Sequence, residues 1–190
     1  MGGRMVWAAV LGGVVLFMWG FVAHMLLGLS EAHVREPSGE RASATAWLHQ
    51  SSPEHGVLIT PMPPSDTSEP AQLAYEARVK SEPYAFIVVQ PAGMPEGVQL
   101  PQHLVREVGI CIVMALIAVF LIAVAGGLSG PVSRILFCVL LAGFGFLQTD
   151  ARYLVWYHFP VGWTVAQLIE KLVGGALLGL VIHLVLGKRR

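Results

Sequence analysis

Apolar residues gather in four long runs, separated by one extended polar stretch and two short joins. The first run, residues 5–29, follows a single Arg4 and contains one polar side chain, His24. Runs at 104–128, 131–147 and 163–187 follow, and the chain ends Lys188-Arg189-Arg190. A helix crossing the ~30 Å hydrocarbon layer needs about 20 apolar residues. Each run therefore predicts a transmembrane helix, the third being the shortest. The first is too long for the hydrophobic part of a signal peptide and lacks its small-x-small cleavage pattern, so it is expected to remain as an uncleaved span.

Residues 30–103 break this pattern and hold ten of the twelve prolines. Val57-Leu58-Ile59-Thr60 and Tyr84-Ala85-Phe86-Ile87-Val88-Val89 are β-branched and aromatic runs bounded by Gly or Pro, which predict strands. Arg41–Gln50 and Ala71–Lys80 have helical composition. The fold class is thus an all-α membrane protein of four transmembrane helices, with a small α+β extracytoplasmic insertion, the 30–103 cap, between helices 1 and 2. A segment of this length buries only a marginal core alone, so it is expected to lean on the helices or on a partner. Residues 148–162, rich in aromatics, read as an interfacial loop: Trp156, Tyr157 and Trp163 suit the depth where amphipathic rings anchor helices.

Composition agrees with the pattern. The 190 residues are 55% hydrophobic and 13% charged, about half the charged share of a soluble domain. A net charge of zero without a basic stripe gives nucleic-acid binding no support. The lipid bilayer is the expected partner. Four spans put both termini on one side with Arg4, Arg134 and the terminal Lys-Arg-Arg. The positive-inside rule then makes that side cytoplasmic, in a bacterial cytoplasmic (inner) membrane. The two cysteines, Cys111 and Cys138, lie at different depths and read as buried apolar thiols rather than a disulfide.

Candidate chemistry is sparse. His24 and His183 each follow a glycine four residues earlier, Gly20 and Gly179, on the same helix face. A flat macrocycle could lie over such a glycine while the imidazole ligates its metal, so haem or (bacterio)chlorophyll binding through either histidine is one reading. His24 is about 29 Å along its helix from Met5 and His183 is near the opposite membrane face, so the two cannot ligate one haem. The plainer reading is that each histidine hydrogen-bonds a neighbouring helix or faces the interface. No cofactor and no metal site are expected, because His49 and His55 are the nearest histidine pair and a Ser-Ser-Pro break separates them.

Gly175 and Gly179 form a GxxxG stripe, and Gly20 and Gly28 continue a comparable face on the first helix. Small residues let lipid-embedded helices approach closely, either inside the bundle or against another subunit. Glu170 and Lys171 lie one to two turns inside the fourth span, where charge is costly and often functional. Were Glu170 a proton relay, a second acid at similar depth would be required, and Glu107 and Asp150 are the candidates. With His158, these residues outline an outer-face site for an enzyme or transporter.

Trp19-Gly20-Phe21-Val22-Ala23-His24-Met25, Trp156-Tyr157-His158-Phe159-Pro160 and Gly56-Val57-Leu58-Ile59-Thr60-Pro61 resemble a family of small uncharacterised bacterial four-helix integral membrane proteins. The resemblance implies the four-helix architecture and carries no activity. The sequence alone therefore favours a non-catalytic accessory or scaffolding subunit of a larger membrane complex, bound to other membrane protein subunits. The alternatives are a tetrapyrrole-carrying subunit using His24 or His183, and an enzyme or transporter around His158 and Glu170.

Overall fold

A computed structural model describes residues 2–29, 33–35, 41–51, 54–92, 100–126 and 128–187. Four of its helices are long and apolar enough to cross a membrane, and a two-stranded sheet accompanies them. The chain divides into two units, residues 1–35 with 99–190 and residues 36–98.

The first unit is the helical bundle. Helix α1 (Gly3–Phe21) widens into a π-helical turn, Val22–Leu26, and stops at Gly28, whose φ of 62° is left-handed. Helix α4 (Leu100–Val124) returns along it and ends at Gly126, φ 80°. Helix α5 (Pro131–Gln148) begins with Pro131 in its first turn, where a missing N–H costs nothing. The Ser133 hydroxyl holds that turn, donating to Gly130 O at 2.9 Å and accepting from Gly130 N–H at 3.2 Å. Within 148–162, read from sequence as a loop, Asp150–Tyr157 form a short helix, α6. Asp150 sits in the first turn of α6, where a carboxylate opposes the positive end of the helix dipole. Helix α7 (Val161–Leu186) then runs back after Pro160 and is closed by Gly187.

Two close pairs build the bundle. A Cβ on Gly13 would lie 2.6 Å from the Ile112 Cα, so α1 and α4 touch backbone to backbone there. A Cβ on Gly179 would lie 2.5 Å from the Ile135 Cα, and one on Gly175 would lie 2.8 Å from Cys138 O, which brings α7 equally close to α5. The pairs join where α1 packs on α7, whereas α4 and α5 scarcely touch. The GxxxG stripe is therefore used inside the bundle, the first of the two roles open to it. A Cβ on Gly20 or Gly28 would meet nothing within 4 Å among the described residues of this chain. On α1 the close contacts are made by Gly12, against Leu178 and Ala115, and by Gly13.

The buried core gathers at one end of the bundle, from Ala8, Ala115, Val119, Ile122, Cys138, Leu178 and Ile182. That end is tied by arginines. Arg134, 2% exposed, donates to Leu128 O at 2.8 Å and Gly187 O at 3.0 Å. Arg4 donates to Val185 O at 2.7 Å and 3.1 Å. Carbonyls at a helix C-terminus lack intrahelical partners, and these two guanidinium groups supply donors at the end of α7. Arg4 and Arg134 thus share an end.

The second unit contains α2 (Arg41–Ser51), β1 (Gly56–Thr60), α3 (Glu69–Ser81) and β2 (Ala85–Val89). The strands pair antiparallel with Gly56 opposite Val89 and Thr60 opposite Ala85. No residue of α3 is buried. Val57 and Val88 face each other across the sheet, both exposed. Ser68 precedes α3, and its N–H and hydroxyl both donate to the Asp66 carboxylate at 2.9 Å, holding that carboxyl below its usual pKa. At the other end, Arg78 donates to Glu82 at 2.9–3.1 Å and lowers the Glu82 pKa likewise.

Candidate ligand cavity of the helical bundle

At the end away from the arginines the four long helices part around a cavity of about 670 Å³. Leu16 and Phe17 of α1, Met114 and Ile117 of α4, Leu141 of α5 and Leu178 of α7 form its apolar walls. Its volume falls in the 300–1,000 Å³ range typical of small-molecule sites, which are mostly apolar with a few placed polar groups.

Those polar groups converge from three helices. His24 Nε2 lies 3.1 Å from Glu170 Oε1. The π-turn that carries His24 inserts an extra residue per turn, a device concentrated at functional positions. Trp19 adds a second tie, its indole N–H donating to the Glu170 backbone carbonyl at 2.9 Å. Lys171 Nζ lies 2.7 Å from Asp150 Oδ2, and Asp150, 5% exposed, also accepts from the Thr149 hydroxyl at 2.9 Å. Glu107 completes the group from α4, accepting from the Cys111 thiol at 3.7 Å. Both candidates for the second acid of a relay at Glu170 lie at this end of the bundle: Glu107 in the cavity wall, Asp150 paired with Lys171.

The remaining candidates fall elsewhere. His158 closes α6 with left-handed backbone, φ 53°, while Glu170 is held by His24. Tyr153, Tyr157, Phe159 and Trp163 form a continuous ring cluster beside it, with centroids 4.7–5.6 Å apart. Trp156 stays exposed. His183 lies at the arginine end, 13 residues and about 20 Å along α7 from Glu170. Gly179, one turn before it, packs against Ile135 and leaves no space there for a macrocycle. Gly20 differs, since it lines the cavity with open space before it, one turn from His24. Among the described residues no three His, Cys, Asp or Glu side chains come together as a metal site.

Sequence reasoning selected His24, Glu170 and Lys171 separately and missed that two of them pair. The signal was present: His24 near the end of the first span and Glu170 near the start of the fourth share a depth in any alternating four-helix topology. No family model, curated protein or solved structure matches this chain.

Proposed function

We propose that this chain is a four-span integral membrane protein, both termini cytoplasmic, whose non-catalytic role is to bind an amphipathic small molecule within its bundle. The observation that carries the reading is the cavity itself: an apolar chamber of about 670 Å³ with His24, Glu107, Glu170 and Lys171 at its wall. An apolar ligand body would lie along Leu16, Phe17, Met114 and Ile117, with its polar head among the charged groups. The broad apolar exposure of the long helices, Trp7, Phe120, Leu140 and Leu184 among them, is consistent with lipid contact.

The test is mild extraction followed by mass spectrometry of bound small molecules, comparing wild type with Gly20→Phe. A Cβ at position 20 meets no neighbour and Gly20 lines the cavity, so the ring would occupy the part of the chamber beside His24. A lipophilic molecule bound to wild type and lost from Gly20→Phe is the expected result. Equal retention by both proteins, or none by either, refutes the reading.

A second reading has its own support. Open space at Gly20 beside a cavity-lining His24 is the arrangement a tetrapyrrole would use, although His24 Nε2 already faces Glu170. Absorption in the visible range after native purification, abolished by His24→Ala, would establish it in place of the first. The accessory-subunit reading keeps the exposed apolar face of the second unit as its support and loses the GxxxG stripe.

A further inference from the structure

Resting on the cavity reading above, we propose that the ligand's head group is a monovalent cation, of the class of a protonated amine on a hydrocarbon tail, and that Glu107 is its counter-charge. The argument is a charge count at the head of the chamber. Lys171 is matched by Asp150 at 2.7 Å, and Glu170 by His24 at 3.1 Å. Glu107 has only the Cys111 thiol at 3.7 Å and, among the described residues, no cation within ion-pair distance. With Lys171 paired to Asp150 and Glu170 facing His24, Glu107 is the wall carboxylate left outside these pairs.

Glu107 is exposed on α4 while lining the cavity, so its carboxylate is open to a cationic group that enters there. An anionic head group would meet a lysine already engaged by Asp150 and the carboxylates of Glu107 and Glu170 in the wall. A cationic head meets a carboxylate with one oxygen, Oε1, accepting from the weak Cys111 thiol donor. Cys111, one turn along α4 from Glu107, orients that carboxylate from below and lies in the chamber wall. The hydrocarbon tail follows from the apolar wall beyond it.

The experiment uses the full chain in neutral maltoside micelles with three probes of equal tail length: dodecylamine, dodecanol and dodecyl phosphate. Binding is read by native mass spectrometry for wild type, Glu107→Gln and Gly20→Phe. Amide for carboxylate preserves shape on an exposed helix face, and an unchanged melting temperature confirms the fold. We expect the amine to bind wild type at least tenfold better than the alcohol. Glu107→Gln should bring the amine down to the alcohol's level without moving the alcohol, and Gly20→Phe should remove both. Equal binding of amine and alcohol, both blocked by Gly20→Phe, overturns the head-group assignment and leaves the cavity reading standing. A preference for the phosphate, or an amine preference that survives Glu107→Gln, overturns that assignment in the same way. Binding that Gly20→Phe does not block, or no binding at all, overturns both.

Discussion

Gly20 and Gly179, each one turn before a histidine of a long apolar helix, should respond to alanine with opposite signs. In a helix interior, alanine is favoured over glycine by up to about 1 kcal/mol through backbone entropy alone. At Gly20 that gain comes unopposed, because the new methyl meets nothing within 4 Å. At Gly179 the methyl would sit 2.5 Å from the Ile135 Cα and 2.8 Å from Arg134 O. Both are backbone atoms of α5, so no side chain can rotate away and α5 and α7 must separate. Forcing an extra methyl into a packed core costs about 1–3 kcal/mol, which outweighs the propensity gain. Gly20→Ala should therefore be neutral to stabilising, by up to about 1 kcal/mol, and Gly179→Ala destabilising by up to about 2 kcal/mol. For a chain of this size the melting temperatures of the two variants should differ on the order of 5 °C. The assay is thermal unfolding in one detergent, followed by light scattering and circular dichroism. A Gly179→Ala protein as stable as Gly20→Ala would refute the backbone contact between α5 and α7, and with it the account of the GxxxG stripe.

Three further outcomes follow from contacts described above. Asp150→Asn leaves the Lys171 ammonium without its counter-charge in a site where Lys171 is 33% exposed. The loss should be about 2 kcal/mol after discounting for partial solvent screening, and the double variant Asp150→Asn/Lys171→Met should recover most of it in the same unfolding assay; no recovery would deny the pairing. Arg134→Met removes charged donors from Leu128 O and Gly187 O at about 1.5–3 kcal/mol per bond, so the end of α7 should exchange its amide hydrogens faster than in wild type. Asp66 and Glu82 both have lowered folded-state pKa values, Asp66 through the Ser68 N–H and Glu82 through Arg78. Their contribution to α3 is present above the ordinary carboxylate pKa and lost as pH falls through the folded one. Hydrogen exchange along α3 should accelerate in acid, and constant protection at low pH would contradict the two contacts.

The long elements were legible because one physical quantity, apolar length, dominates them. Four runs gave four long helices, and two β-branched stretches gave the strand pair. What escaped was set by contacts between elements. Asp150, in the first turn of α6, is held by Thr149 and Lys171, contacts that no periodicity reports. The two glycine pairs look alike in sequence, yet Gly175 and Gly179 meet α5 while Gly20 meets empty space, because only the order in which helices neighbour one another distinguishes them. The site was half legible. Charge and histidine inside apolar runs singled out His24, Glu170 and Lys171, whereas His158 drew attention only through its aromatic neighbours. The π-turn that presents His24 has no sequence signature of its own.

The weak contact between α4 and α5 bears on how any ligand reaches the chamber. Around the bundle, α4 packs on α1, α1 on α7 and α7 on α5, so the circuit is broken at a single seam. Under the proposed membrane placement and ligand, that seam would face hydrocarbon, and an amphiphile could enter through it sideways, keeping its tail in oil and trading lipid neighbours for Met114 and Leu141. Occupancy would then follow the molecule's mole fraction among the lipids rather than its concentration in water, and a compound absent from the aqueous phase could still saturate the protein.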